Sequence, residues 1–213
     1  MAESKLLDVE GMAGGVVATH VPFEDYWDHY AEYACEWVDG TLIKLSVDAR
    51  HCEVYQYVRL LLDVYFDLNR IGRTLGIPFV MRLSAIDSVR EPDIQIILNT
   101  SEGRLHNTYM DGPADICIEI VWEESVTRDH NDKLMEYEKA GVPAYWIIDP
   151  AQQDVRFFRL NDTGVYDRHH EDADGNYSTP ALPGFKLHIP TLWQDELPGP
   201  GATVKAVRAM FGE

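Results

Sequence analysis

The stretch DICIEIVWEESVTRDHNDKLMEYEKAGVPAYWIIDP, residues 115–150, decides the fold of this chain. It begins with the nearly continuous apolar run DICIEIVW, which is typical of a strand buried on both faces. A polar, helix-forming stretch follows, and Gly141 is placed to end it. The run VPAYWIIDP predicts a second buried strand. Because a strand, a helix and a second strand usually form a right-handed parallel crossover, residues 115–148 predict a βαβ unit.

Two more strand-like stretches precede this unit, IPFVMRLSA at 77–85 and EPDIQIIL at 91–98. Before them lies a long amphipathic helical pattern, in which Asp48 suits the N-cap and Gly72 follows the end. Its predicted buried stripe consists of Val54, Val58, Leu61, Leu62 and Tyr65. The middle of the chain thus predicts the order β–β–β–α–β and the α/β or α+β class, with a central mixed sheet flanked by helices.

The parts outside this middle region predict a helix and several hairpins. PFEDYWDHYAEYA (Pro22–Ala34) spaces its aromatic residues as a helix does. Asp39 and Gly40 between two β-prone runs predict a hairpin turn. After residue 150, short β-prone runs alternate with Gly, Asn and Asp turns, which predicts a hairpin-rich C-terminal region.

Length and composition favour one globular domain. The chain has 213 residues, of which 46% are hydrophobic and 25% are charged. Residues 1–20 are Gly-rich and weakly patterned, so we expect a flexible arm there. We expect a single domain over 21–195 and a C-terminal tail over 196–213.

The charge of the chain is strongly acidic. Eighteen Lys and Arg residues stand against 36 Asp and Glu residues, which gives a net charge of −18. Such a chain repels phosphate at long range, which argues against a protein that coats nucleic acid without specificity. A nucleic-acid enzyme stays possible, because a local basic groove or bound divalent cations reverse the field at one site.

Cysteine content and the N-terminus predict a cytoplasmic protein. Cys35, Cys52 and Cys117 are odd in number and have no CxxC spacing, which favours reduced thiols over disulfides or structural zinc. The first twenty residues have neither the basic segment nor the continuous apolar segment of a signal peptide. No apolar run approaches the length of a membrane span.

Two carboxylates in the strand region are the first candidates for chemistry. Asp93 opens one predicted strand behind Pro92, and Glu119 sits inside a strand predicted to be buried on both faces. A buried carboxylate needs a cation, a hydrogen-bonding partner or a metal. If the two strands are neighbours, Asp93 and Glu119 converge and form a hard-oxygen site for Mg²⁺ or Mn²⁺. The alternative is that Glu119 pairs with a nearby Arg or Lys.

The helix after Glu119 carries a second candidate group. Asp129, Lys133 and Tyr137 are spaced i, i+4, i+8 and share one flank of the helix. One interpretation is a solvated surface ion pair between Asp129 and Lys133. The other is that Lys133 points back over Glu119 and supplies positive charge to a phosphate or a nucleophilic water.

The stretch EPDIQIIL, together with GPADICIEIVWEESVTRDHNDKLMEYEKAGVPAYWIIDP, resembles the Uma2 family of the PD-(D/E)XK, or restriction-endonuclease-like, superfamily. Upstream, CEWVDGTLIKLSVDARH resembles the family's Glu-x-x-Asp-Gly segment and its helix that opens with His. Downstream, TPALPGFKLHI resembles its Leu-Pro-Gly close. The resemblance covers roughly residues 23–193 and implies a restriction-endonuclease-like fold.

The resemblance also implies site residues. Asp93 matches the Asp of the PD motif, and Glu119 matches the acidic residue of (D/E)XK. The chain departs from the motif at Val121, where the superfamily has Lys, and Lys133 matches the helix position that takes over this function in Uma2-like proteins. The family usually has Ser-Pro after the Glu strand, where this chain has Glu123-Glu124, two carboxylates that would repel a phosphate substrate unless they face away.

Two further positions match the family outside this motif. Glu36 is expected to be a further carboxylate on the metal side. His51 lies at the start of the long helix, where a histidine is more often a structural or surface group than a ligand. Asp129 and Tyr137 are expected to support the site without touching the reacting atoms.

These matches predict an endonuclease that uses Mg²⁺ or Mn²⁺ to hydrolyse phosphodiester bonds of nucleic acid, with DNA as the expected substrate. Asp93, Glu119 and the backbone carbonyl of Ile120 would hold the metal, and Lys133 would act on the attacking water or the phosphate. The acidic charge and Val121 favour an alternative, a nuclease-fold module that binds or assembles without catalysis. A hydrolase of small nucleotides is a third hypothesis, and the resemblance also implies a homodimer.

Overall fold

The computed structural model describes residues 7–9, 11–45, 48–121 and 131–212, with the backbone alone at 102 and 103. The first seven strands are β1 (Gly15–Ala18), β2 (Cys35–Val38), β3 (Thr41–Lys44), β4 (Gly72–Gly76), β5 (Val80–Leu83), β6 (Ser88–Arg90) and β7 (Ile94–Leu98). The later strands are β8 (Tyr109–Asp111), β9 (Ile116–Ile120), β10 (Ala144–Asp149), β11 (Asp154–Leu160), β12 (Tyr166–His169), β13 (Asn176–Tyr177) and β14 (Leu187–His188). The helices are α1 (Phe23–His29), α2 (Ala49–Leu68), α3 (Lys133–Ala140), α4 (Ile189–Leu192) and α5 (Pro200–Met210).

These strands form two six-stranded sheets and one two-stranded pair. The first sheet has the order β1-β3-β2-β6-β5-β8, and the second has the order β12-β11-β10-β9-β7-β4. Each large sheet is mixed, because β5 and β8 run parallel in the first and β9 and β10 run parallel in the second. The fold class predicted from the sequence is confirmed, but the single central sheet is in fact two sheets.

The βαβ unit predicted over 115–148 forms the centre of the second sheet. Strand β9 pairs in parallel with β10, with Glu119 opposite Ile147. Helix α3 lies between these strands in the chain and ends at Gly141, whose φ of 79° is the left-handed conformation of a helix C-cap. The start predicted for this helix, including Asp129, lies in 122–130, outside the described residues.

Helices cover both faces of the second sheet. Ile118 and Ile120 of β9 belong to a buried apolar cluster that they share with α2. Cys117 and Val121 belong to another cluster, which includes Tyr137 of α3. Side chains alternate along a strand, so Glu119 shares the α3 face with its two neighbours at 117 and 121. The continuous apolar run of β9 therefore reflects burial on both faces, as predicted.

Strands β7 and β9 are antiparallel neighbours. Ile94 lies opposite Ile118 and Gln95 lies opposite Cys117. This register places Asp93, the residue before β7, beside the end of β9 that carries Glu119. The adjacency that the two-carboxylate hypothesis required is therefore present in the fold.

Local signals in the sequence account for the helices and turns near the contact between β7 and β9. The Asp48 side chain accepts a hydrogen bond from the His51 N–H at 2.7 Å and caps α2, as predicted. Asp39 and Gly40 have φ values of 44° and 77°, which make the predicted tight turn between β2 and β3. Helix α1 ends at His29, so it is shorter than the segment Pro22–Ala34 that was predicted to be helical.

Four strands, β1, β4, β6 and β8, were missed because their local signals are weak. Strand β4, with the sequence GRTLG, is bounded by glycines, and β6 and β8 have only three residues each. Gly76 ends β4 close to the neighbouring strand. A side chain there would displace its neighbours, because a Cβ would lie 2.8 Å from the Asp93 carbonyl oxygen. Strand β1 lies inside the segment expected to be a flexible arm, where its residues 15–18 pair with β3.

The segment after residue 195, expected to be a tail, contains helix α5. Val207 is fully buried in the cluster beneath α2, and the Phe211 ring stacks on Tyr65 with 5.8 Å between centroids. The Pro and Gly residues at 198–201 hid this helix, because they are typical of loops. In the described part of the chain, no helix has the length and apolar character needed to cross a membrane.

The buried position of Val207 predicts that α5 is part of the folded domain. We expect Val207→Ala to lower the free energy of unfolding by about 1–3 kcal/mol, because it removes buried apolar surface and leaves a cavity. Val165→Ala is the matched control, since Val165 is 50% exposed. Urea unfolding of both variants measures the difference, and equal stability of the two would contradict the placement of α5.

Candidate functional site

A cluster of buried charged side chains lies where the two sheets meet. Its members come from both sheets and from the first turns of α2 and α3, and each is less than a tenth exposed. They are the carboxylates Glu36, Glu91, Asp93 and Glu119 and the nitrogen-bearing side chains His51, Arg90 and Lys133. Charged groups at this depth are costly unless they are paired, so the contacts within the cluster determine its chemistry.

Asp93 is held from two sides. Its Oδ2 accepts a hydrogen bond from the backbone N–H of Ile120 at 2.7 Å, which ties the start of β7 to the end of β9. Its Oδ1 lies 3.0 Å from Nε2 of His51. Because the Asp48 cap fixes the first turn of α2, the His51 ring reaches Asp93 from an anchored position. His51 is therefore a buried partner of the carboxylate.

Lys133 lies between two carboxylates. Its Nζ is 2.8 Å from Oε1 of Glu119 and 3.0 Å from Oε1 of Glu36. The side chain is 1% exposed, which rules out a surface ion pair as its main role. Val121, at the position where the superfamily motif has lysine, is buried in the apolar core. The positive charge beside Glu119 thus comes from the helix and not from the strand.

Tyr137 supports Glu119 from the next turn of α3. Its hydroxyl donates a hydrogen bond to Oε1 of Glu119 at 3.0 Å. Burial and the charge of Glu119 raise the pKa of Tyr137 well above its ordinary value, so the hydroxyl keeps its proton. The two residues predicted on one flank of α3, Lys133 and Tyr137, therefore contact the same carboxylate oxygen.

Arg90 connects this network to the surface. It donates to Oε2 of Glu36 at 2.8 Å and forms a two-pronged contact with Glu136, at 2.8 and 2.7 Å. Burial by itself would lower the pKa of Arg90, but the Glu36 and Glu136 carboxylates raise it above its ordinary value. The guanidinium therefore stays charged and fixes the orientation of Glu36.

A cleft of about 620 Å³ opens above the contact between Arg90 and Glu136. It lies between the first sheet and α3, and Arg90 is the member of the buried cluster that lines it. Its lining includes Val16, Ile43, Arg90, Met135, Glu136 and Lys139. The volume suits a small ligand or a single unit of a polymer.

Glu91 has no such pairing. It is 1% exposed, and both of its carboxylate oxygens are buried without a hydrogen-bond partner among the described residues. Burial, Glu36 and Asp93 raise the pKa of Glu91 to about 8, against a partial lowering by Lys133 and Lys44. Glu91 is thus the one carboxylate of the cluster whose hydrogen-bonding capacity is unused in the described structure.

Most residues singled out in the sequence meet in this cluster. It contains Asp93, Glu119, Lys133, Tyr137, Glu36 and His51. Ile120, expected to contribute its carbonyl, contacts Asp93 through its N–H. Asp129 and the Glu123-Glu124 pair lie outside the described residues. Within the described ranges, no three His, Cys, Asp or Glu side chains converge as a ready-made metal site.

Three members of the network were missed in the sequence. Arg90 and Glu91 directly precede the PD motif, and Glu136 lies one helical turn after Lys133. The desolvation argument applied to Glu119 applies equally to Arg90 and Glu91, which adjoin a buried strand. The sequence therefore showed that Arg90 and Glu91 need partners. It did not show which carboxylates Arg90 would meet, because that depends on the pairing of β6 with β2.

A solved structure and a family model show what this chain is similar to. A crystal structure from Anabaena variabilis, described as "a putative nuclease belonging to DUF820", superposes with a TM-score of 0.64 at 20% identity, over 76% of this chain and 90% of that chain. The two chains therefore share a fold. The Uma2 model, described as "Putative restriction endonuclease", matches residues 23–190, so the chain belongs to the Uma2 family. No curated protein matches it.

The position of Lys133 predicts a large effect on stability. Lys133→Met keeps the apolar stem but leaves Glu36 and Glu119 without their shared cation, so we expect the free energy of unfolding to fall by about 3–5 kcal/mol. The control is Lys139→Met on the exposed side of the same helix, for which we expect a change within about 0.5 kcal/mol. Equal loss in both variants, measured by urea unfolding, would show that Lys133 holds no buried charges.

The raised pKa of Glu91 predicts how stability depends on pH in the presence of a chelator. Between pH 4.5 and 8 the unfolded chain has lost the Glu91 proton and the folded chain retains it, so folding becomes less favourable as the pH rises. Relative to Glu91→Gln, we expect the wild type to lose up to about 1.4 kcal/mol per pH unit in this window. Urea unfolding at several pH values measures this, and parallel curves for the two proteins would contradict it.

Proposed function

We propose that this protein is a divalent-cation-dependent nuclease that hydrolyses phosphodiester bonds, with DNA as the substrate. The observation that carries the proposal is the contact of Lys133 with Glu119 at 2.8 Å. It reproduces, from a helix, the carboxylate and lysine pair that the superfamily motif places on one strand. Membership of the Uma2 family supports the same reaction class.

The charge balance of the cluster fits a divalent cation. Four buried carboxylates stand against the two permanent cations Arg90 and Lys133, which leaves an excess of negative charge. Mg²⁺ is commonly held by one or two carboxylates together with waters and substrate phosphates, so three converging side chains are not required. Asp93 and Glu119, with the Ile120 carbonyl, would hold the ion. When bound, it would lower the pKa of a water and neutralise phosphate charge.

The remaining residues have separable tasks in this proposal. His51 and the Ile120 N–H fix the orientation of the Asp93 carboxylate. Lys133 would position the attacking water or stabilise charge on the phosphate, and Tyr137 keeps Glu119 in place. In the cleft, Lys139 would meet the substrate backbone and offset part of the repulsion from an acidic protein.

Two other functions fit specific features. A net charge of −18 disfavours a long duplex more than a short substrate, and a cleft of about 620 Å³ accommodates a mononucleotide or dinucleotide. The same charge, with the apolar Val121, also fits a module that binds without catalysis. We include a homodimer in the leading proposal, and light scattering of the purified protein tests it.

Cleavage of supercoiled plasmid tests the leading proposal. We expect nicking by the wild type with Mg²⁺ or Mn²⁺ and none with a chelator. Asp93→Asn should lower the rate by about a hundredfold or more, because it removes half of the ligand charge. Asp162→Asn, in an exposed turn, is the control and should cleave at the wild-type rate.

The same assay separates the alternatives. Cleavage of dinucleotides but not of plasmid would favour the small-nucleotide hydrolase. Equal plasmid cleavage by the wild type and by Asp93→Asn would remove Asp93 from the site. If no substrate is cleaved, the noncatalytic module replaces the enzyme.

A further inference from the structure

The carboxylate of Glu91 is buried and has no hydrogen-bonding partner among the described residues. The residue follows β6 and is separated from Asp93 by Pro92 alone, so the two carboxylates start from nearly the same point of the chain. Its backbone N–H donates to Oε1 of Glu36 at 3.2 Å, which fixes the main chain beside the cluster. Its side chain is 1% exposed, and neither carboxylate oxygen has a partner among the described residues.

Arg90 and Lys133 are already engaged by other carboxylates, and Lys44, whose charge also acts on Glu91, donates to the Tyr33 carbonyl oxygen. Arg90 bonds to Glu36 and Glu136. Lys133 bonds to Glu36 and Glu119. A buried carboxylate in this situation either keeps a proton or takes a cation from solution.

The position of Glu91 relative to Asp93 favours the cation. Pro92 alone separates Glu91 from Asp93, and the Glu91 N–H donates to Oε1 of Glu36, so the three residues belong to one buried cluster. Two neighbouring carboxylates repel each other unless an ion lies between them. A hard divalent cation with carboxylate oxygens and water is the ligand class that removes this repulsion.

We propose that Glu91 is a direct ligand of the divalent cation and shares it with Asp93. This inference rests on the proposed function and adds to the site a carboxylate that lies outside the PD and E-x-K positions. Asp93 has an anchored orientation, and Glu91 contributes two oxygens that bind nothing else in the described structure. Positions on the cation that Glu91, Asp93, Glu119 and the Ile120 carbonyl leave free would be open to water and to phosphate oxygens.

Glu36 has a different task, although the sequence suggested it as a carboxylate on the metal side. It accepts hydrogen bonds from Arg90, Lys133 and the backbone N–H of Glu91. Three donors, two of them charged, satisfy this carboxylate and neutralise it. In this proposal Glu91 takes the ligand role, and Glu36 is the partner that positions Lys133.

Titration of the purified full chain with Mn²⁺ tests this inference directly. Isothermal titration calorimetry and the electron paramagnetic resonance signal of free Mn²⁺ give the dissociation constant without any substrate. The proteins are the wild type, Glu91→Gln, Asp93→Asn and Glu171→Gln, the last at an exposed position as the matched control. Thermal unfolding in a chelator shows that each variant folds, and Glu91→Gln retains the shape of the side chain while it removes the unpaired charge.

We expect Glu91→Gln to weaken Mn²⁺ binding at least tenfold while Glu171→Gln binds as the wild type does. We also expect Mn²⁺ to raise the unfolding temperature of the wild type more than that of Glu91→Gln at the same Mn²⁺ concentration. If Asp93→Asn loses binding but Glu91→Gln retains it, the role of Glu91 is overturned and the proposed nuclease site stands. If the wild type itself binds no Mn²⁺, the cation site and the inference both fail.

Discussion

The architecture of the site depends on one buried ammonium group. Lys133 is the first residue of α3, and its Nζ contacts Glu36 of the first sheet and Glu119 of the second. The same side chain therefore joins two sheets and a helix at one point. Since each carboxylate would be strongly destabilised alone at this depth, the three groups are stable only as a unit. The relative placement of the sheets and the geometry of the candidate site are thus set by the same contacts.

This arrangement places a lysine beside Glu119 although strand β9 lacks the motif lysine. Val121 packs into the apolar core beneath α3, where a strand lysine would need its own counter-charge. Placing the lysine on the helix frees that strand position for packing, and Tyr137 secures the same carboxylate oxygen from one turn further along. The positive charge beside Glu119 and the hydrophobic core therefore come from neighbouring elements, the charge from α3 and the apolar side chain from the end of β9.

The sequence predicted the βαβ unit and the capped helix α2, because both depend on local periodicity or on a strong capping signal. The adjacency of Asp93 and Glu119 was only a condition of the metal-site hypothesis, and the pairing of β7 with β9 meets it. The sequence did not predict two separate sheets. Strands β4 and β6 are short or bounded by glycine, and their pairing is decided by distant partners such as β7 and β2. Arg90 and Glu91 were missed for the same reason, since a charged residue beside a strand reveals its role only when the partner strand is known.

The proposed function is based on the buried cluster, in which four carboxylates lie close together in a strongly acidic protein. A cluster with more carboxylates than permanent cations is unfavourable for the folded chain by itself and becomes favourable when a divalent cation binds. The most direct measurement is anomalous diffraction from a crystal soaked in Mn²⁺. The account predicts a Mn²⁺ peak in contact with the carboxylates of Asp93 and Glu91. Mn²⁺ bound only at exposed carboxylates, with none at Asp93, would contradict it.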